Sequence, residues 1–234
     1  MKKIIALIVA AIAYVQAAEV FATFETTAQK STKLAFSSSG IVKKIYVDVG
    51  SEVKKGDTLA TLHNEDLSAL AATSRAQAKF ATSEYERYAK VKDYINAAQL
   101  DSYRLKKENA LTQLKYNESV LYKTVLKAPF SGVITAKTIE EGDVVTAQAA
   151  TPAFKMQSVG PMKLIIKYDA RYYNVVKVGQ PYIFQIGGKG TKYKATIRKI
   201  YPTIDEKTQM IIAEAYIKDM PSGLFGAGTI MAGN

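Results

Sequence analysis

His63 is the only histidine of the chain, and it stands beside Asn64, Glu65 and Asp66. A metal site there would need a second imidazole or a thiolate, and the 234 residues include no cysteine. Glu65 and Asp66 read more simply as negative charges at the start of a helix, where the helix dipole favours them. With one histidine, no cysteine nucleophile, no Gly-rich phosphate loop and no nucleophile elbow, no acid–base or nucleophile pair can be assembled. The expectation is a protein that is not an enzyme, with no catalytic residue, no cofactor and no metal ligand.

The elements that position everything else are a repeat and what separates its copies. Ser39 to Val53 reads SGIVKKIYVDVGSEV, and Ser131 to Val145 reads SGVITAKTIEEGDVV. In each copy the chain runs from one Gly to a second (Gly40 to Gly50, Gly132 to Gly142) and on to a Val three residues later (Val53, Val145). Gly40, Gly50, Gly56, Gly132 and Gly142 are expected to mark the turns of two small β-units, each too small to close a core alone.

Between the copies, Leu67 to Ile95 holds no Gly or Pro and is dense in good helix formers. Leu67, Leu70, Ser74, Ala78, Ala81, Tyr85, Tyr88 and Val91 recur at three- and four-residue steps, a narrow stripe of coiled-coil type. A second helix starts at Asn96, whose pairing with Gln99 matches a capping box, and carries a seam of Leu100, Tyr103, Ala110, Leu114 and Leu121. With one or two residues between them the helices must run antiparallel, each roughly 40 Å long.

Composition sets outer limits. Charged residues make up 23% and hydrophobic residues 48% of the chain, which is foldable and not disordered. The formal charge of +11 falls to about +9 once Lys2 and Lys3 leave with a leader. That balance suits acidic membrane surfaces or acidic proteins. Nucleic acid is not an expected partner, because the lysines are spread along the chain and no aromatic–basic signature accompanies them. Met1-Lys2-Lys3, the apolar run from Ile4 to Ala13 and the small residues of Val15-Gln16-Ala17 have the three regions of a signal peptide. No cysteine follows for a lipid anchor.

Val20, Phe21 and Phe24 precede the first copy as strand-like sequence. After the second copy, Lys163 to Tyr168, Tyr182 to Ile186, Tyr193 to Ile200 and Met210 to Ile217 are β-rich runs broken by glycine and proline, the pattern of a small barrel or sandwich. Met162-Lys163-Leu164 has the look of a biotinylation triplet but reads as the start of one of those strands. A short helix is expected over Ala170 to Val176.

The two half-motifs resemble a lipoyl, or biotinyl-carrier-like, domain split by a helical hairpin. Lys127-Ala128-Pro129-Phe130-Ser131-Gly132, Val49-Gly50 and Lys55-Gly56-Asp57-Thr58-Leu59, with Val176-Lys177-Val178-Gly179-Gln180-Pro181 and Ile200-Tyr201-Pro202-Thr203-Ile204-Asp205 further on, resemble the periplasmic adaptors. These are HlyD-like membrane fusion proteins of tripartite RND-type efflux pumps. The resemblance implies an elongated α+β fold: signal peptide over 1–17, an N-terminal strand of the barrel region over 18–33, lipoyl-like halves over 34–66 and 125–149, the hairpin over 67–124 and an antiparallel β-barrel over 150–234. It also implies that a membrane-proximal domain is reduced or absent.

In such a family the protein joins an inner-membrane RND-type transporter to an outer-membrane channel, works as a homo-oligomer of six copies in the periplasm of a Gram-negative bacterium, and supports export of small toxic compounds. The hairpin tip docks the channel, and Arg87, Val91, Tyr94, Ile95 and Asn96 match the tip motif, with Val91 and Asn96 where the family has Leu and Ser. An adaptor for heavy-metal efflux, or after it for another export system, is the alternative. A carrier domain of a multienzyme complex is disfavoured, since about sixty residues of helix replace the turn that would bear the modified lysine. Processing is expected after Ala17: N-terminal sequencing of the exported protein should start at Ala18, and a sequence starting at Met1 would overturn the leader reading.

Overall fold

The structure, a computed structural model, describes residues 18–148, 151–186 and 190–233. The expected signal peptide and the Gly187-Gly188 break lie outside those residues. In chain order the elements are β1 (Ala18–Thr27), β2 (Ser31–Leu34), β3 (Gly40–Ile45), β4 (Glu52–Val53), β5 (Thr58–Leu62), α1 (Glu65–Ala89), α2 (Ala97–Tyr122), β6 (Val125–Lys127), β7 (Gly132–Lys137), β8 (Val144–Val145), β9 (Phe154–Gln157), β10 (Met162–Asp169), β11 (Pro181–Gln185), β12 (Lys192–Thr196), β13 (Lys199–Asp205), β14 (Met210–Ile217) and β15 (Phe225–Ala232). They form two compact units, one of residues 30–159 and one of the chain before and after it. Among the described residues no helix is long and apolar enough to cross a membrane.

In the unit made from both flanks, seven antiparallel strands follow the order β12-β11-β15-β1-β10-β14-β13. Alternation along β1 turns Val20, Ala22, Phe24 and Thr26 inward, onto Leu164, Ile166, Tyr182, Phe184 and Ile230. Each such fully buried apolar side chain contributes about 1.5–3 kcal/mol. Thr26 is the polar exception, and its hydroxyl is satisfied: it donates to the Pro221 carbonyl (2.8 Å) and accepts from the Leu224 amide (2.9 Å).

The sheet closes on itself through one bent segment. Only Ile197 and Arg198 separate β12 from β13, where the sequence suggested one continuous run from Tyr193 to Ile200. The Ile197 amide donates to Gln180 (3.0 Å) on the β11 side and the Arg198 amide to Glu214 (2.7 Å) on the β14 side. The same segment therefore serves both edges, and closure removes the unpaired edges an open sheet would leave. The helix expected over Ala170 to Val176 is a single 3-10 turn, Ala170–Tyr172, capped by the Asp169 carboxylate.

In the other unit two four-stranded sheets, β2-β9-β7-β4 and β6-β5-β3-β8, enclose Phe36, Val42, Leu59, Leu62, Ile134, Phe154 and Met156. The two copies of the repeat complete each other. Gly40 pairs with Val145 between β3 and β8, and Gly132 with Val53 between β7 and β4. The hydrogen bonds are exchanged in the same way: Gly50 donates to Ile134 and Gly142 to Val42, while Val42 donates to Asp143 and Ile134 to Ser51, all at 2.8–3.0 Å. Equivalent residues of the two copies thus make equivalent bonds across a pseudo-two-fold.

The glycines divide into two kinds. Gly50, Gly56 and Gly142 have φ of +87°, +95° and +94°, the left-handed conformation of tight turns. Gly40 and Gly132 are not turn residues, contrary to the reading of all five as turns. They open strands β3 and β7, and only Gly132 is needed for close approach. A Cβ on Gly132 would lie 2.1 Å from the Gln157 carbonyl oxygen, whereas one on Gly40 would meet only the end of the Leu62 side chain at 3.2 Å. Gly132→Ala should therefore lower the unfolding free energy by about 1–3 kcal/mol, and Gly40→Ala by less than about 1 kcal/mol. Urea denaturation of the pair checks this, and equal losses would show that the backbone contact does not set the difference.

Candidate functional site

The hairpin is built on a clamp between the two halves. The Leu62 amide donates to the Thr124 carbonyl (2.9 Å), the His63 amide to Ile41 (2.9 Å) and the Asn64 side chain to the Thr124 hydroxyl (2.8 Å). An ion pair from Lys43 reaches Glu65 in the first turn of α1. That hydrogen bond holds the Glu65 carboxyl down at about 2. His63 is exposed, with its ring 3.5 Å from Glu65, and no cluster of potential metal ligands is found among the described residues.

From this base α1 and α2 rise antiparallel over 25 and 26 residues, about 38 Å each. Ala71, Ser74, Ala78 and Ala81 are the buried face of α1, followed by half-buried Tyr85 and Tyr88. The seam thus passes through Ala71 and leaves Leu70, 50% exposed, outside it. On α2 the half-buried Leu100, Tyr103, Ala110, Leu114 and Leu121 are joined by Lys107 and by buried Asn117. These two polar residues were missed by a reading that admitted only apolar and aromatic side chains on the second helix. The alternating three- and four-residue step, continued through polar positions, would have found them.

Both have partners across the seam. Asn117 donates to the buried Ser74 hydroxyl (2.6 Å), and the Lys107 ammonium sits 4.2 Å from the centre of the Tyr85 ring. Nearer the turn, Tyr88 and Tyr103 stack at 4.0 Å with their planes 8° apart. The Tyr103 contact pushes the Tyr88 phenol above its ordinary value. Arg75 and Glu118 form an exposed ion pair on one flank, worth no more than about 1 kcal/mol.

The turn is longer than the sequence suggested. α1 ends at Ala89 and not at Ile95, because Val91 leaves helical geometry (φ −115°, ψ 27°) and Lys92–Tyr94 form a 3-10 turn. Reversing the chain needs those residues; a helix running to Ile95 would leave one residue to turn in. Ile95 is extended, and Asn96 caps α2 with its side chain accepting from the Ala98 amide (2.9 Å). Of the residues expected at the tip, Tyr94 is 90% and Val91 44% exposed, Arg87 and Asn96 are exposed and Ile95 is half-buried. The surface they offer is an aromatic and an aliphatic side chain beside cations.

The other unit contains a buried carboxylate, Glu214, only 6% exposed. It accepts from the Tyr201 hydroxyl (2.6 Å) and lies 4.0 Å from the Lys163 ammonium. Tyr201 stands on the irregular stretch of β13, so this group ties that stretch to β14. Lys163 of the biotinylation-like triplet is a strand residue within β10.

The Ser74–Asn117 bond is the one fully buried polar contact of the seam, and its removal is informative. Asn117→Ala leaves the Ser74 hydroxyl buried and should lower the unfolding free energy by about 1–3 kcal/mol. Ser74→Ala combined with Asn117→Leu should recover most of that loss. Urea midpoints decide: a double variant as unstable as the single one would mean that the pair does not account for the loss.

The CzcB-like, barrel-sandwich hybrid domain matches residues 30–154, the hairpin included. The pyoverdine export membrane fusion protein PvdR of Pseudomonas aeruginosa is 25% identical over 197 residues, covering 70% of this chain and 50% of that protein. The cation efflux system protein CzcB of Alcaligenes sp. (strain CT14) is 24% identical over 190 residues, covering 73% of this chain and 36% of that protein. The chain spans half or less of the length of these relatives. In fold it is similar to a MacA–MexA chimeric protein containing the Pseudomonas aeruginosa MexA α-hairpin domain, with a TM-score of 0.82 at 21% identity over 92% of this chain and 81% of that one. By the match across more than half its length, the chain belongs to the CzcB-like barrel-sandwich hybrid domain family.

Proposed function

We propose that the chain is a periplasmic adaptor, or membrane fusion protein, of a tripartite RND-type efflux pump. It joins an inner-membrane transporter to an outer-membrane channel and supports export of small toxic compounds, without a catalytic step or a cofactor. The observation that carries this reading is the tip: Tyr94 at 90% exposure, with Val91 and Arg87, presented at the end of a rod clamped into the sandwich. An aromatic left in water at such a point is suited to an apolar contact in a partner. The likeness to PvdR, named for pyoverdine export, supports an export role. In this reading several copies, six in the assembled pump, act together in the periplasm of a Gram-negative cell.

Heavy-metal efflux is a second reading, favoured by the likeness to the cation efflux protein CzcB. The two differ in what a cell lacking the protein becomes sensitive to. Sensitivity confined to divalent metal salts supports the second reading, and sensitivity confined to organic compounds the first.

The docking assignment is tested at Arg87 and Asn96. Arg87→Glu reverses an exposed charge and should change stability by only about 0.5 kcal/mol. Asn96→Ala removes a cap worth about 1 kcal/mol and should fray the start of α2 without unfolding the protein. Export should fall in both variants while the melting temperature of the Arg87 variant stays at that of the wild type. Full export by a normally assembled Arg87→Glu variant would sink the tip-docking assignment.

A further inference from the structure

The seam of the hairpin changes character along its length. Its buried positions are Ala71, Ser74, Ala78 and Ala81 on α1 and Asn117 on α2, so burial extends from the base to about two thirds of the way along α1 and stops there. Beyond Ala81 neither helix buries a residue, and the contacts become aromatic: Lys107 over Tyr85, then the Tyr88–Tyr103 stack. Lys106 lies 5.1 Å from the Tyr103 ring, covering it from its own helix. Stacked rings attract beyond the area they bury, and a cation over a ring keeps a modest attraction even at an exposed site.

The turn hangs directly from this group. The Val91 amide donates to the Tyr88 carbonyl (3.1 Å), and the Tyr94 amide to the Val91 carbonyl (2.9 Å). On the other side, the cap at Asn96 and the first turns of α2 lead straight to Tyr103. Helix ends without packing fray, because each terminal turn is held by few bonds. Between Ala81 and the turn, the rings supply most of the packing, with half-buried Leu100 beside them.

We infer that Tyr88 and Tyr103 are the positioning pair of the hairpin tip: their stack, backed by Lys107 on Tyr85, forms a latch that opens separately from the base and sets how Val91, Tyr94 and Ile95 are presented. The opening of the tip stands on its own geometry; its consequence for export rests on the docking reading. The pair need not touch a partner, so both rings act through the turn they hold.

Hydrogen exchange on the purified full-length protein tests the latch. Tyr88→Ala and Tyr103→Ala should each speed exchange at residues 90–103 by about three- to tenfold, while residues 68–80 and 110–120 exchange at the wild-type rate. The double variant should match either single one, because both remove the same stack, and Tyr103→Phe, which keeps the ring, should stay at the wild-type rate. Unchanged rates at the turn, equal acceleration along the whole hairpin, or additive effects in the double variant would overturn the inference. Export separates the two readings. Faster exchange at the turn with loss of export supports both. Faster exchange with full export supports the latch and counts against channel docking at the tip.

Discussion

The constraint on which the sandwich and hairpin depend is that neither half-motif can finish its own sheet. Gly40 needs Val145 and Gly132 needs Val53, with amide–carbonyl bonds exchanged symmetrically between the copies. Each half is short, and its apolar face is covered only by the other. Folding of the unit therefore waits for the second copy, whatever lies between. The ends of the insertion are then held side by side, at Leu62 and Thr124, by a backbone hydrogen bond. An insertion leaving and returning at neighbouring points has one economical form, two antiparallel helices of equal length, and α1 and α2 are matched to within a residue.

That hairpin has little apolar surface to hold it. Alanines dominate the buried face of α1, so the backbones can approach closely but each contact contributes little. Register is then the quantity at risk, because a slide by one turn would put an alanine opposite nearly the same surroundings. The Ser74–Asn117 hydrogen bond, the Lys107–Tyr85 contact and the Tyr88–Tyr103 stack each have one partner and one alignment. Polar residues inside a seam commonly lower stability while specifying alignment. Here the aligned features fall at three heights along the rod, and the last of them adjoins the turn that carries Val91 and Tyr94. By the latch inferred for Tyr88 and Tyr103, that last feature also sets how the tip is presented.

The barrel meets a different demand, the removal of sheet edges. A single bent segment, broken between Thr196 and Lys199, pairs on one side with β11 and on the other with β14. The irregular pairing of β13 after Ile200 strains the regular ladder. The Tyr201–Glu214 hydrogen bond across it fastens the departing strand back onto β14. A buried carboxylate would ordinarily suggest chemistry, yet its oxygen faces a phenol and an ammonium of the same sheet, with a role in holding the closure.

Features written in local chemistry were legible in the amino-acid sequence. The repeat showed that two like β-units must pair, since internal similarity needs no partner to be seen. Asn96 marked the start of α2, because capping depends on one side chain and the amide two residues on. Met210–Ile217 is the strand that its β-rich composition suggested. The tertiary structure decided what depends on a distant neighbour. Gly40 and Gly132 look alike in the repeat, yet only the second faces a backbone oxygen that forbids a Cβ. An alanine-rich helix offers several faces of similar polarity, so the choice of Ala71 over Leu70 for the seam was made by the side chains of α2. Lys107 and Asn117 fall at seam positions by their spacing but look solvated by residue type, and the facing tyrosine ring and serine hydroxyl are what let the seam hold them. Periodicity records what a residue prefers on its own segment; burial is set by whichever surface the fold brings against it.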